Sequence, residues 1–158
     1  MKKRSRGKQK LEMLSKIDLR STVAVYLQIE NHVQFAIASG KLQDDDQLPA
    51  VRELSDRLEV NPNTVAKAYR DLEVMGLVYS RQGMGVYVNK GVQAKCRKQC
   101  YHRTIKRMCE VVLEGKASGM VSKDIVEIVE KSYRSNADPY SEPPASLTAL
   151  ARKRRAPK

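Results

Sequence analysis

The fold is decided by the stretch VRELSDRLEVNPNTVAKAYRDLEVMGLVYS, residues 51–80. Its first part predicts a brief helix that begins near Ala50. Apolar residues recur on the inner face of this helix: Val51, Leu54 and Leu58. Asn61 is then a strong candidate to cap a second helix, and Pro62 suits the first helical position because no amide donor is needed there. Two helices joined by so tight a turn predict a helix-turn-helix.

The second of these helices is expected to run to about Met75, where Gly76 ends it. Its predicted buried stripe consists of Val65, Ala68, Tyr69 and Leu72. The same periodicity turns four polar residues outward: Asn63, Thr64, Lys67 and Arg70. This helix therefore opens with short polar groups on its exposed side.

The residues before this stretch predict one more helix, with Thr22 as its N-cap and Gly40 at its end. Its apolar residues recur at helical spacing: Tyr26, Ile29, Val33, Ala36 and Ile37. The acidic run at residues 44–46 is read as a solvated loop rather than a metal site, which would need more converging oxygen ligands.

The residues after Gly76 predict a β-hairpin. Residues 77–80 and 86–88 are β-prone, and residues 81–85 between them carry two glycines and Arg81 at the expected tip. Three helices followed by a hairpin give the predicted fold class: mainly α with a small β-hairpin, a winged helix-turn-helix domain, to which the chain adds a short C-terminal two-helix segment.

Charge indicates the class of partner. The chain of 158 residues has 30 Lys and Arg against 18 Asp and Glu, a formal net charge of +12. A balance this basic favours a polyanionic partner, with nucleic acid first and an acidic membrane second. The excess is concentrated at residues 1–15 and 135–158, which we expect to be disordered basic arms that add salt-dependent affinity.

Other classes are disfavoured. No uncharged run is long enough to cross a membrane, and no apolar signal segment follows the basic N-terminus. Three cysteines within residues 96–109 do not form a disulfide framework, so a reducing cytoplasm is expected. Motifs of phosphate-binding, serine-hydrolase and zinc-protease enzymes are missing, so no enzyme activity and no cofactor are predicted.

The ordered motifs resemble the GntR family of bacterial transcriptional regulators. They are Leu-Pro-Ala-Val-Arg-Glu-Leu (48–54), Val-Asn-Pro-Asn-Thr-Val-Ala-Lys-Ala-Tyr (60–69), Leu-Glu-Val-Met-Gly-Leu-Val (72–78) and Gly-Met-Gly-Val-Tyr-Val (83–88). The Asn-Pro-Asn-Thr-Val and Lys-Ala-Tyr elements and the short C-terminal part look like its YtrA subfamily. The resemblance covers roughly residues 16–134. It implies a dimeric transcriptional repressor that binds double-stranded DNA. Relatives in the family control membrane-transporter or envelope genes.

The resemblance also implies roles for individual residues. Arg52 matches an arginine that binds the DNA backbone or a base edge, and Gly83 matches the wing glycine near the minor groove. Four residues match the start of the recognition helix: Asn61, Asn63, Thr64 and Lys67. Short amide and hydroxyl groups at a helix N-terminus suit phosphates and base edges. Arg70 and Arg81 complete the predicted DNA-binding set, and Ala50 replaces the usual serine, so no side-chain cap is expected there.

Some of these residues have simpler interpretations. Arg52 could form a surface salt bridge to Asp56, and Asn61 could serve only as a helix cap. Thr64 could be an ordinary helix-start residue, and Arg70 could be merely solvated. Tyr69 falls on the apolar stripe, so it is expected in the core and not against bases.

The segment after the wing predicts a dimer interface. Tyr101, Ile105, Met108 and Val112 are spaced four, three and four residues apart on one helix. A second helix adds Ile125 and Val129 to an inner face. The resemblance places a homodimer interface here, which gives predicted domains of 16–91 for DNA binding and 92–134 for dimerisation.

The cysteines leave alternatives open. Cys96 and Cys100 lie near each other on a helix, but Cys109 and His102 point elsewhere, so one helix cannot gather a metal site. A site shared across a dimer and thiol sensing remain alternatives to simple packing. Two other functions also remain: a general RNA or polyanion binder that uses the arms, and a winged helix that binds proteins. A small-molecule effector could bind between the two parts of the chain, but no residues mark a pocket for it, and the sequence does not identify the operator.

Overall fold

The computed structural model describes Leu14 and residues 17–134. Five helices and one two-stranded sheet follow each other in this part of the chain: α1 (Val25–Ala38), α2 (Val51–Leu58), α3 (Pro62–Val74), β1 (Val78–Arg81), β2 (Gly85–Val88), α4 (Gln93–Ala117) and α5 (Ser122–Arg134). Three helices followed by a hairpin confirm the predicted winged helix-turn-helix. The described chain divides into two compact units, one ending at Arg103 and the other beginning at Thr104.

The first unit is built on one apolar core shared by α1, α2, α3 and the hairpin. The predicted stripe of α3 is buried in full: Val65, Ala68, Tyr69 and Leu72. Leu14 is fully buried in the same core, a contact that the expectation of a disordered N-terminal arm did not anticipate. The other residues of the predicted arms, 1–13, 15 and 135–158, lie outside the described part of the chain.

The start of α1 differs from the prediction. The N-cap position is Ala24, not Thr22, and no side chain caps the helix. Gln28 organises the entry instead, because its Nε2 donates to the carbonyl oxygens of Asp18 and Val23 at 2.9 and 2.8 Å. The prediction of Thr22 was wrong because a side chain from inside the helix satisfies the preceding turn.

The helix-turn-helix forms as expected. Ala50 occupies the N-cap of α2 without a side-chain hydrogen bond, which confirms the loss expected at this position. Glu59 ends α2 in the left-handed conformation with a φ of 54°. Asn61 then caps α3 and Pro62 begins it, as the sequence predicted. Gly76, with a φ of 69°, ends α3, because its backbone enters the left-handed region after Met75.

The hairpin is tighter than predicted. β1 and β2 are antiparallel, with Tyr79 opposite Tyr87 and Arg81 opposite Gly85. Arg81 therefore belongs to a strand, and the turn comprises residues 82–84 rather than 81–85. Gln47 adds an isolated bridge to Tyr87, which lays the segment before α2 along the hairpin.

The second unit contains most of α4 together with α5. The two helices are joined by a turn in which Gly119 has a φ of 86°. Apolar side chains on both helices are exposed in the single chain, among them Met108, Val112 and Val129. Among the described residues, no helix has the length and apolar composition that a membrane span requires.

Candidate nucleic-acid interface

The N-terminus of α3 is polar and accessible. The Oδ1 atom of Asn61 accepts a hydrogen bond from the backbone N–H of Asn63 at 2.8 Å. The cap therefore engages the oxygen of Asn61 and leaves its NH₂ group available as a donor. Asn63 is exposed and Thr64 is half-buried. The backbone N–H groups of Asn63 and Thr64 already donate to Asn61, so what favours a phosphate at this end of α3 is the positive end of the helix dipole.

Two basic residues, Lys67 and Arg70, follow Asn63 on the exposed side of α3. Residues 63, 67 and 70 share one face, because positions four and seven apart align on a helix. Arg70 is exposed on α3, and Arg52 is exposed on α2. Neither arginine forms an ion pair with any described side chain, so the alternative pair between Arg52 and Asp56 does not form.

Lys67 is held more firmly than the sequence implied. Its Nζ lies 2.7 Å from Oδ2 of Asp71, one turn further along α3. The same nitrogen lies 4.1 Å from the centre of the Tyr26 ring on α1, within the range of a cation–π contact. The hydrogen bond to Asp71 raises the pKa of Lys67 and lowers the pKa of Asp71. Lys67, which the resemblance places in the DNA-binding set, thus already has two partners within the protein.

A buried carboxyl group lies beside this pair and was missed by sequence reasoning. Glu30 on α1 is 5% exposed, and its Oε1 has no hydrogen-bond partner among the described residues. Burial is the main cause that raises the pKa of Glu30, followed by the neighbouring Asp71. Glu30 could have been found from its spacing of three and seven residues to the buried Val33 and Ile37.

The wing tip is open to a close approach. Gly83 has a φ of 72°, and nothing lies within 4 Å of the position that a Cβ would take. Gly85 is enclosed, because a Cβ there would lie 2.9 Å from Nε2 of Gln47. The Nε2 of Gln47 and the hydroxyl of Tyr87 both donate to the carbonyl oxygen of Met84, at 2.8 and 3.2 Å. The turn is therefore braced on one side and accessible at Gly83.

The acidic loop at residues 44–46 supports the wing. Asp45 accepts a hydrogen bond from the Tyr79 hydroxyl at 2.9 Å and pairs with Lys90 at 3.2 Å. Asp44 accepts from the backbone N–H of Gly91 at 3.0 Å. The interpretation as a merely solvated loop was incomplete, because these contacts join residues more than 30 positions apart and local sequence carries no sign of them.

The predicted dimer residues fall into two groups. Four of them line one cavity of about 350 Å³ in the second unit: Met108, Val112, Ile125 and Val129. Thr104 and Arg107 supply polar groups to the same lining. Tyr101 and Ile105 do not line this cavity, although both side chains are exposed on α4, at 67% and 43%.

The cysteines are free and occupy different surroundings. Cys96 is buried, Cys100 is half-buried and Cys109 is exposed. Burial, and then the neighbouring Cys100, raise the pKa of the Cys96 thiol to about 11. Within residues 17–134, no three histidine, cysteine or acidic side chains come together as a metal site. Cys96 thus packs in the first unit as a small apolar residue.

Comparison with known proteins places this geometry in a family. Residues 25–88, from α1 to the end of the wing, match "Bacterial regulatory proteins, gntR family". A solved transcriptional regulator from Oenococcus oeni is 30% identical, with a TM-score of 0.54 over 74% of this chain and 97% of that one. The chain belongs to the GntR family.

Other GntR proteins support the same assignment. A GntR family transcriptional regulator from Listeria monocytogenes is 29% identical, with a TM-score of 0.56 over 73% of this chain and 98% of that one. The transcriptional repressor YtrA of Bacillus subtilis is 38% identical over 49% of this chain and 59% of the relative. The chain thus spans about three fifths of that relative's length, and the predicted YtrA-like resemblance is confirmed. Residues 25–88 form a GntR-type DNA-binding domain.

Proposed function

We propose that the chain is a sequence-specific transcriptional repressor that binds a two-fold symmetric operator as a homodimer. The recognition helix α3 enters the major groove, and the wing formed by β1 and β2 reaches the adjacent minor groove. The protein acts by occupying the operator, which requires neither catalysis nor a cofactor. The similarity to a repressor, YtrA of Bacillus subtilis, supports this direction of control.

The two-sided character of α3 carries the proposal. Its apolar stripe is buried, and its other side is polar and cationic. The apolar stripe fixes the helix in the core and leaves the polar side, with an accessible N-terminus, to face a groove. The proposed DNA contacts are Arg52, Asn61, Asn63, Thr64, Lys67, Arg70, Arg81 and Gly83.

The exposed apolar side chains of α4 and α5 support a homodimer. Side chains of this kind are costly to leave in water, and a second copy would cover them. A two-fold dimer also matches two recognition helices to two half-sites. The proposed interface consists of Tyr101, Ile105, Met108, Val112, Ile125 and Val129.

The rest of the assignment follows from this scheme. Residues 16–91 bind DNA and residues 92–134 dimerise, while the basic ends, 1–15 and 135–158, add affinity that falls with salt. The protein works in the cytoplasm. Control of transporter or envelope genes, and a small-molecule effector, rest on the family resemblance.

The test is a selection of random duplex DNA by the full chain at about physiological salt, with sequencing of the bound pool and a mass measurement in solution. We expect an inverted-repeat motif and a mass of two chains. Recovery of no motif, with binding that disappears as salt rises, would replace this proposal by a general polyanion binder. Binding of a single half-site by a monomer would contradict the homodimer but would leave the proposed role as a transcriptional regulator in place.

A further inference from the structure

One face of the wing brings two aromatic rings and a cation together. Tyr79 and Arg81 lie on the same face of β1, because side chains alternate along a strand, and Tyr87 faces Tyr79 across the hairpin. The two rings stack with centroids 5.8 Å apart and planes 30° apart. The Cζ of Arg81 lies 5.2 Å from the Tyr79 centroid and 4.8 Å from the Tyr87 centroid. Gly85, opposite Arg81, places no side chain beside the guanidinium.

A chain of directed hydrogen bonds fixes the orientation of this arginine. The Nη2 of Arg81 donates to the Tyr79 oxygen at 2.7 Å, and the Tyr79 hydroxyl donates to Oδ1 of Asp45 at 2.9 Å. Each group has the role that its chemistry allows, since a phenol both accepts and donates while a carboxylate accepts. Asp45 also pairs with Lys90, which neutralises its charge at the surface.

The protonation states of Tyr79 and Asp45 agree with donation from the tyrosine hydroxyl to the carboxylate. The hydrogen bond to Asp45 raises the pKa of Tyr79, so the phenol keeps its proton at neutral pH. Tyr79 and then Lys90 lower the pKa of Asp45, so the acceptor stays ionised. The arrangement therefore persists over the physiological range of pH. Arg81 is exposed despite these contacts, and so can meet a ligand.

We infer that Tyr79, Tyr87 and Asp45 are positioning residues that hold Arg81 as a reader of a narrow, A·T-rich minor groove beside the major-groove site. This inference rests on the proposed function, because it needs an operator to which the wing docks. A guanidinium that is already stacked loses little side-chain freedom on binding. The narrow minor groove of A·T tracts concentrates negative potential and attracts arginine, whereas guanine places an amino group there.

The experiment compares base pairs that differ in the minor groove alone. In the selected operator, each pair flanking the major-groove motif is replaced in turn by G·C or by inosine·cytosine, which lacks the guanine amino group and keeps the same major-groove edge. Affinities are measured with the full chain by fluorescence anisotropy. We expect G·C at one flank to weaken wild-type binding about fivefold to tenfold relative to inosine·cytosine.

The variants test the positioning residues. Arg81→Lys, Tyr79→Phe and Asp45→Ala should bring the ratio of the two affinities close to one. Asp45→Asn should keep most of the wild-type preference for inosine·cytosine over G·C, because the amide oxygen still accepts a hydrogen bond from Tyr79. Tyr133→Phe removes a hydroxyl from a tyrosine of α5 that is 91% exposed and serves as the matched control. Thermal unfolding identifies any variant that loses its fold, and a ratio of affinities is unaffected by a lower active fraction.

The outcomes separate this inference from the proposed function. Wild-type binding of a selected motif with a ratio of one at every flank would overturn the inference and leave the regulator intact. A uniform loss for Arg81→Lys across all sequences, with the wild-type ratio preserved, would make Arg81 a phosphate contact and also overturn it. Absence of any selected motif would overturn both proposals together.

Discussion

The ammonium group of Lys67 lies 2.7 Å from Asp71 on the DNA-facing side proposed for α3. The Lys67 side chain is 49% exposed and that of Asp71 is 33% exposed, so water competes strongly for both charges. A DNA phosphate can therefore replace Asp71 as the ion-pair partner of Lys67. The carboxylate that it leaves behind would then be unpaired beside the proposed DNA surface, so we expect Asp71 to lower the affinity of α3 for DNA.

Replacing Asp71 by Asn should strengthen DNA binding. The change frees Lys67 and removes a negative charge near the phosphates, so we expect affinity to rise on the order of twofold to fivefold at low salt. The gain should shrink as salt rises. Fluorescence anisotropy titrations at several salt concentrations measure it.

Glu127→Gln is the matched control for this prediction. It removes a carboxylate from another exposed i,i+4 pair, with Lys131 on α5. An equal gain from both variants would mean that net charge alone is responsible. Weaker binding by Asp71→Asn would show that Asp71 positions Lys67 for DNA and does not restrain it.

Glu30→Gln should stabilise the fold at neutral pH. Burial raises the pKa of Glu30 in the folded state, so its contribution to stability is fully present below the unfolded-state pKa and is lost as pH rises through the folded-state value. Glutamine stays neutral and can donate to Asp71. The melting temperature of the variant should therefore exceed that of wild type by a few degrees at pH 7–8.

The difference in melting temperature between wild type and Glu30→Gln should become smaller as pH falls toward the unfolded-state pKa of Glu30. Asp71 acts with the opposite sign, because Lys67 lowers its pKa, and its contribution is lost as pH falls. Both proteins should thus lose stability in strong acid. Thermal unfolding between pH 4 and 8 tests this, with Glu114→Gln as an exposed control on α4. A variant less stable than wild type at pH 8 would refute the interpretation.

Local sequence was sufficient to predict the helix-turn-helix. Asn61 and Pro62 determine where α3 begins, and Gly76 determines where it ends, since each acts on its own backbone. The apolar period of α3 then assigns its buried and exposed sides. These features depend on neighbours within a few residues, and the structure confirms all of them.

Contacts between distant segments could not be predicted in the same way. Asp45 reaches Tyr79 across 34 positions, and Glu30 meets Asp71 across two helices. No period or motif encodes either pairing. The start of α1 was wrong for a related reason, because Gln28 holds the preceding turn and no N-cap side chain is needed. The contacts that adjust the charges on the proposed DNA surface are therefore tertiary contacts, which local sequence patterns do not predict.

Thr64→Ala and Arg52→Ala should each weaken operator binding by about 1–3 kcal/mol, on the order of fivefold to 150-fold. Thr64 is half-buried at the start of α3, Arg52 is an exposed cation of α2, and neither belongs to the apolar core. The mass in solution should not change. Arg57→Ala, at the exposed last turn of α2, is the control for a lost charge. Wild-type affinity in both variants would overturn the assigned contacts.

Charge placed on the inner face of α4 should separate the proposed dimer. Met108→Glu or Val112→Glu would put a carboxylate among the apolar residues that line the cavity of the second unit, and a partner copy could not cover it without desolvating the charge. Leu113→Glu places the same charge at a side chain that is 65% exposed and does not line that cavity. Light scattering should give one chain for the first two variants and two chains for the control. Because a lone half-site loses the contacts of the second subunit, operator affinity should fall with the dimer, whereas an unchanged mass in all three variants would refute the interface.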